Sequence, residues 1–158
     1  MADLGAWHGD PALKERIVAR MKQHREADAF VHGLYQRLDS KLALGYKGCA
    51  IGCALDPQEP DSIGEGRRPY GGWWAEVERQ FGIPEDVAEM IDDNFECLGR
   101  PDDANFAVEV LEAVPVGADL SSVSDAYWAD ESALESDRLL VKLVSEAPVR
   151  REVTSDAR

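Results

Sequence analysis

Two ionisable side chains interrupt an otherwise apolar helical stripe near the start of the chain. Leu13, Ile17 and Met21 recur at four-residue steps, and continuing the stripe leads to His24 and Asp28 before Val31. Residues three or four apart share a helix face, so His24, Asp28 and His32 form an i, i+4, i+8 row. Burying such groups costs free energy unless they are paired or bound to something. One fitting chemistry is an acid/base pair in which Asp28 orients the His24 imidazole and raises its pKa. Another is a metal site with His24, Asp28 and His32 as ligands. A small rotation of the helix, bringing Ala27, Phe30 and Leu34 to the core, would instead reduce His24 and Asp28 to a surface hydrogen bond.

Cys49 and Cys53 are spaced for adjacent turns of one helix face. Structural zinc is usually held by four ligands from paired Cys-x2-Cys knuckles. A single Cys-x3-Cys would need Cys97 and a histidine to complete it. Between Gly48, Ala50, Gly52 and Ala54 the two thiols also suit a packed core, where free cysteine behaves as a small hydrophobe. A divalent metal is thus the cofactor these residue types suggest, on His24, Asp28, His32, Cys49 and Cys53, with Lys47 close in sequence. Gly45-Tyr46-Lys47-Gly48 lacks the long glycine loop ending in Lys-Ser/Thr that cradles phosphate, and reads as a plain turn. No serine sits in a nucleophile elbow. His8 has no partner nearby in sequence.

Charge is the other informative feature. The net charge is −14 over 158 residues. Residues 80–137 hold 16 acidic residues and one base, Arg100, whereas residues 1–79 are nearly balanced with 12 acids and 11 bases. A concentrated anionic surface repels nucleic acid and anionic lipid and attracts basic partners. Direct nucleic-acid binding is excluded there, since it depends on Lys and Arg neutralising phosphates. Glu85, Asp86, Glu89, Asp92, Asp93 and Glu96 supply the densest stretch. Trp73 and Trp74 add aromatic residues of the kind that favour binding sites. Two adjacent side chains diverge by about 100° on a helix, so the two tryptophans cannot face the same core. The bland alternative for the carboxylates is a solvated face that keeps the chain soluble.

These residues need elements to position them. Asp10-Pro11 is a cap followed by a proline suited to the first helical position, and the apolar spacing predicts a helix to about residue 38, weakened at Gly33. Cys49 to Leu55 predicts a short buried helix. Residues 56–72, with three prolines and four glycines, predict a long loop containing Arg67 and Arg68. Further helices are predicted over 73–81, 84–98, 101–113, about 121–128 and 132–146. No stretch alternates long enough to predict a strand. The expectation is an all-α fold, a single bundle of six or seven helices over 1–147 with one long Pro/Gly-rich loop, followed by a polar, frayed tail at 148–158. Gly82-Ile83 between two helices has the shape of a helix-turn-helix, but the would-be recognition helix carries six acids and no base, which defeats DNA binding.

The stretches Lys47–Leu55, Phe81–Pro84 with Asp92–Glu96, and Val114–Ser121 resemble segments of small bacterial and phage proteins that carry no assigned chemistry. The resemblance implies a microbial or phage accessory protein and supplies no catalytic residues. Three cysteines, no apolar run long enough for a membrane and no basic-then-apolar N-terminus lead to an expected cytoplasmic location. The functional expectation is an acidic interaction or regulatory protein that docks a basic partner protein through residues 80–137. The competing expectation is a small metal- or ligand-binding enzyme centred on His24 and Asp28.

Overall fold

A computed structural model describes residues 3–57, 72–132 and 134–150. Among them are seven α-helices and one two-stranded sheet, so the expected all-α bundle stands, with a small sheet added.

Helix α1 (Pro11–Glu26) starts as the sequence suggests, with the Asp10 carboxylate accepting the Ala12 N–H at 2.9 Å. It does not continue toward residue 38. Asp28 takes a left-handed φ of 50°, the Asp28 and Ala29 N–H groups close back onto the Arg25 and His24 carbonyls, and the chain turns away. Strand β1 (Gln36–Leu38) then pairs antiparallel with β2 (Tyr46–Gly48), with Gln36 opposite Gly48 and Leu38 opposite Tyr46. The Gly45–Gly48 segment is therefore mostly strand, entered through Gly45 at a φ of 80°. Strands of three residues are too short for alternation to show in sequence.

Helix α2 (Ala50–Ala54) is buried along its whole length. Its small side chains admit the backbone of the preceding hairpin. A Cβ on Gly48 or Gly52 would lie 1.8 or 1.7 Å from the Tyr35 carbonyl oxygen. That proximity serves the start of α2, where the Cys49 N–H donates to the Leu34 and Tyr35 carbonyls at 2.7 and 3.2 Å. Two donors at a helix start that would otherwise go unmet are thus tied down: the Cys49 N–H by these carbonyls, and the Gly52 N–H by the Cys49 sulfur, at 3.4 Å.

Helices α3 (Gly72–Phe81), α4 (Glu85–Cys97), α5 (Asp102–Ala113), α6 (Val123–Ala129) and α7 (Ser136–Ser145) follow close to the predicted spans. Helix α5 packs against α1, α4 and α7, and α4 also touches α2, α3 and α6. One continuous core joins them, built around Trp7, Phe81, Ile83, Phe95, Phe106 and Leu140. Trp7 closes it at the N-terminal side, stacked obliquely on Phe81 with its indole N–H on the Val114 carbonyl at 3.0 Å.

Residues 148–150 are not frayed. The Asp119 N–H donates to the Pro148 carbonyl at 2.7 Å and the Arg150 N–H to the Gly117 carbonyl at 2.8 Å, while the Arg150 guanidinium reaches the Asp3 and Asp119 carboxylates. The rest of the predicted tail, and most of the predicted loop with Arg67 and Arg68, lie outside the described residues. No described helix is long and apolar enough to cross a membrane.

Candidate functional site

The early end of α1 dissolves the predicted histidine–aspartate row. His24 remains on the helix and is 0% exposed. Its Nδ1–H donates to the Arg20 carbonyl at 3.0 Å, and its ring meets Tyr46 edge-on at 4.7 Å. Burial lowers its pKa, partly offset by the Arg20 and Tyr46 backbone acceptors, so the imidazole sits neutral in the core. A groove of about 450 Å³ runs over this region between the end of α1 and residues 42–44. His24 and Tyr46 are among the residues that line this groove, although His24 itself is closed to water. Asp28 points away, with 84% of its side chain exposed, and pairs with Arg100 at 3.0 Å. His32 lies elsewhere again, its Nε2 3.0 Å from the buried Asp103 carboxylate and its ring edge-on to Phe95. His24, Asp28 and His32 thus have three separate sets of partners.

The two predicted cysteine ligands also part company. The Cys53 thiol is fully buried and points at the Gly48 and Ala29 carbonyls, at 3.3 and 3.7 Å. Lys47 pairs with Asp39 at 3.4 Å. Cys49, at the start of α2, faces α4 instead. Its sulfur and the carboxylates of Asp92 and Glu96 offer ligand atoms that lie within 4.8 Å of one another. Asp92 is only 3% exposed. Burial first, and the Asp92 carboxylate next, push the Cys49 thiol well above its ordinary value, against the opposing Gly52 N–H. A protonated, buried thiol is a poor nucleophile. The same trio matches the donors of a zinc-type cation, whose charge would favour the thiolate beside two carboxylates. Both Glu96 oxygens additionally accept the Gly33 N–H, at 2.9 and 3.0 Å.

Sequence reasoning placed Asp92 and Glu96 among solvated acids and missed this grouping. The signal was present. Ala88, Ile91, Asp92 and Phe95 fall at i, i+3, i+4 and i+7, and all four are buried. Asp92 therefore lies on the inner flank of α4 and is unavailable as a docking residue, while Glu96 is half-buried at its edge. Glu85, Asp86, Glu89 and Asp93 are exposed as expected. Among the described residues none of these four forms an ion pair with Lys or Arg. Carboxylates of other elements do: Glu112 with Lys22, Glu109 with Arg138, and Asp119 with Arg150.

Contrary to the expectation that they could not face the same core, Trp73 and Trp74 are both half-buried and both rest against it, because long side chains on the edges of a helix reach the core from either flank. Trp73 stacks face-to-face on Tyr35, with ring centroids 3.7 Å apart and planes inclined by 14°. Among the described residues the large exposed aromatic lies elsewhere, at Trp128 on α6, 76% exposed. Neither family models, curated proteins nor solved structures yield a match to this chain.

Proposed function

We propose that the chain is an interaction protein whose outer α4 surface docks a partner carrying a basic face. The observation that supports this reading is the row Glu85, Asp86, Glu89 and Asp93, exposed on one helix and without a cationic partner among the described residues. Each exposed pair formed with a partner would contribute little, about 0.2–1 kcal/mol. Acting together, unneutralised charges accelerate encounter, by about 10- to 1,000-fold where the field is focused.

The reading is tested with a synthetic arginine-rich decapeptide, titrated at 50 and 500 mM salt. Binding is expected to weaken strongly at the higher salt, because exposed charges are screened there. The combined variant Glu85→Gln, Asp86→Asn, Glu89→Gln, Asp93→Asn should lose most of the binding. Neutralising Glu15, Glu26 and Glu146, which are exposed on or beside other helices, should lose little. Equal losses for the two sets, or salt-independent binding, would refute it.

A second reading rests on a separate observation, the closeness of Cys49, Asp92 and Glu96. They would hold a zinc-type cation through one sulfur and two carboxylates, leaving a coordination position for water. Cobalt(II) reports such a site by a sulfur-to-metal absorption band. Cys49→Ser should abolish the band, whereas Cys53→Ser should keep it. A band that survives in Cys49→Ser, or the lack of any band in the unaltered protein, would sink this reading.

A further inference from the structure

We infer that Trp128 is the aromatic anchor of the docking surface, receiving an arginine side chain of the partner on its ring. The inference rests on the docking reading above and names the contact that would give that surface selectivity. Helix α6 buries only Val123 among its seven residues. Its outward side carries Trp128, 76% exposed. Leaving a tryptophan in water forfeits much of the favourable burial that large side chains provide. A lone exposed aliphatic residue would need no explanation, but this one is held in place. The Tyr127 ring abuts Trp128 at right angles, centroids 5.0 Å apart, and Tyr127 is itself packed on the core and tied to α4 through Asn94 Nδ2, 3.3 Å from its hydroxyl. The same bond seats α6 against the buried side of α4 at Asn94, the helix whose exposed side bears the unneutralised carboxylates.

The electrostatic surroundings define the occupant. Residues 101–137 contain no Lys, Arg or His. Although Glu109, Glu112, Asp119 and Asp137 of this stretch are paired with Arg138, Lys22 and Arg150 from elsewhere, the acids nearest Trp128 in sequence have no Lys or Arg ion pair among the described residues. Asp125, Asp130, Glu131 and Glu135 flank Trp128 in sequence and are exposed. Hydrogen bonds from Ser132 first, and the charge of Lys142 on α7 after them, hold the Asp130 carboxyl below its ordinary value, so this lysine is a basic group from a neighbouring element that acts on this surface. A negative field around an exposed indole selects a cation with a flat, weakly hydrated face. Guanidinium fits better than ammonium, because it stacks on aromatic rings while donating to neighbouring carboxylates. A purely apolar partner would meet uncompensated carboxylates at the rim, and nucleic acid would be repelled.

The test uses the full chain and an alternating Arg-Gly decapeptide, with binding followed by calorimetry and tryptophan emission. Trp128→Ala is expected to weaken binding by about 5- to 30-fold, the range of a partly desolvated cation–π contact, and Trp128→Phe by less. Because the side chain is mostly exposed, both variants should keep the wild-type unfolding midpoint. Replacing arginine by the neutral isostere citrulline in the peptide should erase the difference between wild type and Trp128→Ala. Peptide titration should perturb wild-type emission and leave the Trp128→Phe emission unchanged. If Trp128→Ala binds within twofold of wild type while the α4 charge variant has lost binding, the anchor is refuted and the docking surface survives. If neither variant changes binding, the docking reading itself fails.

Discussion

Replacing Gly52 by alanine should destabilise the fold by several kcal/mol, although the residue sits in a helix, where alanine is ordinarily preferred. An added Cβ would lie 1.7 Å from the Tyr35 carbonyl oxygen, where real Cβ contacts stay beyond 3.0 Å. The carbonyl would have to withdraw by about 1.3 Å, the difference between those distances. It is backbone, so no side-chain rotation relieves the contact. Withdrawal would break the Cys49 N–H bond to Tyr35 and strain the 2.7 Å bond to Leu34. It would also pull on the Gln36–Gly48 pairing of the sheet. Overpacking costs about 1–3 kcal/mol and the one backbone hydrogen bond lost about 1 kcal/mol, so about 2–4 kcal/mol is expected. Against a typical total of about 5–15 kcal/mol, that corresponds to a fall in Tm of roughly 4–16 °C.

Urea unfolding of three variants separates the steric cause from backbone strain. Gly33 has a φ of 69° with nothing within 4 Å of an added Cβ, so Gly33→Ala should cost only the left-handed penalty, about 1–2 kcal/mol. Gly99 has open space and no positive φ, so Gly99→Ala should stay within about 0.5 kcal/mol of wild type. A Gly52→Ala variant as stable as Gly99→Ala would refute the argument that the hairpin carbonyl dictates glycine in α2.

Two further predictions follow from burial. In the native protein an aromatic disulfide reagent should titrate one thiol quickly, that of exposed Cys97, and reach Cys49 and Cys53 only on unfolding; rapid reaction of a second thiol would contradict the packing of α2. His24 should make stability depend on pH near neutrality. Its folded pKa is lowered by burial from an ordinary 6.5, so the unfolded chain binds the proton more readily. The neutral ring's contribution is present above about pH 6.5 and is lost as the pH falls toward the folded value. Unfolding free energies between pH 7.5 and 5 should decline for wild type and decline less for His24→Phe; equal slopes would show that the imidazole does not titrate differently in the two states.

The helical part of the fold was legible because its signals are local. Asp10-Pro11 starts α1, Pro84 with Glu85 and Asp86 starts α4, and four-residue apolar steps mark the buried faces. The hairpin was not legible. Nothing in residues 27–48 marks a strand of three residues, and the apolar positions Val31, Tyr35 and Leu38 happen to continue the helical spacing of α1. What ends that helix is Asp28 in a left-handed conformation, which the fold imposes through the bridge between Phe30 and Gly48. Because the row of His24, Asp28 and His32 presupposed a continuous helix, the predicted site fell with it. The cysteines fared differently. Their burial followed from their small neighbours, but which carboxylates face Cys49 depends on how α4 crosses α2, a tertiary fact with no trace in the spacing of residues 49–53.

The acidic surface of the folded chain differs from the linear distribution of its charges. Sixteen acids against one base over residues 80–137 overstate the anionic surface, because bases distant in sequence return to it. Lys22 of α1 meets Glu112, Arg138 of α7 meets Glu109, and Arg150 meets Asp119. Asp92 turns inward, and Asp103 is buried beside His32. The bases thereby gather on α5 and on the segment after it, while the outer face of α4 receives none among the described residues. The anionic surface is consequently narrower than the sequence implies and more sharply placed. A partner of the kind proposed would bring its cations to α4 and α6, so neutralising Glu109 or Glu112 should weaken docking far less than neutralising Glu89 or Asp93.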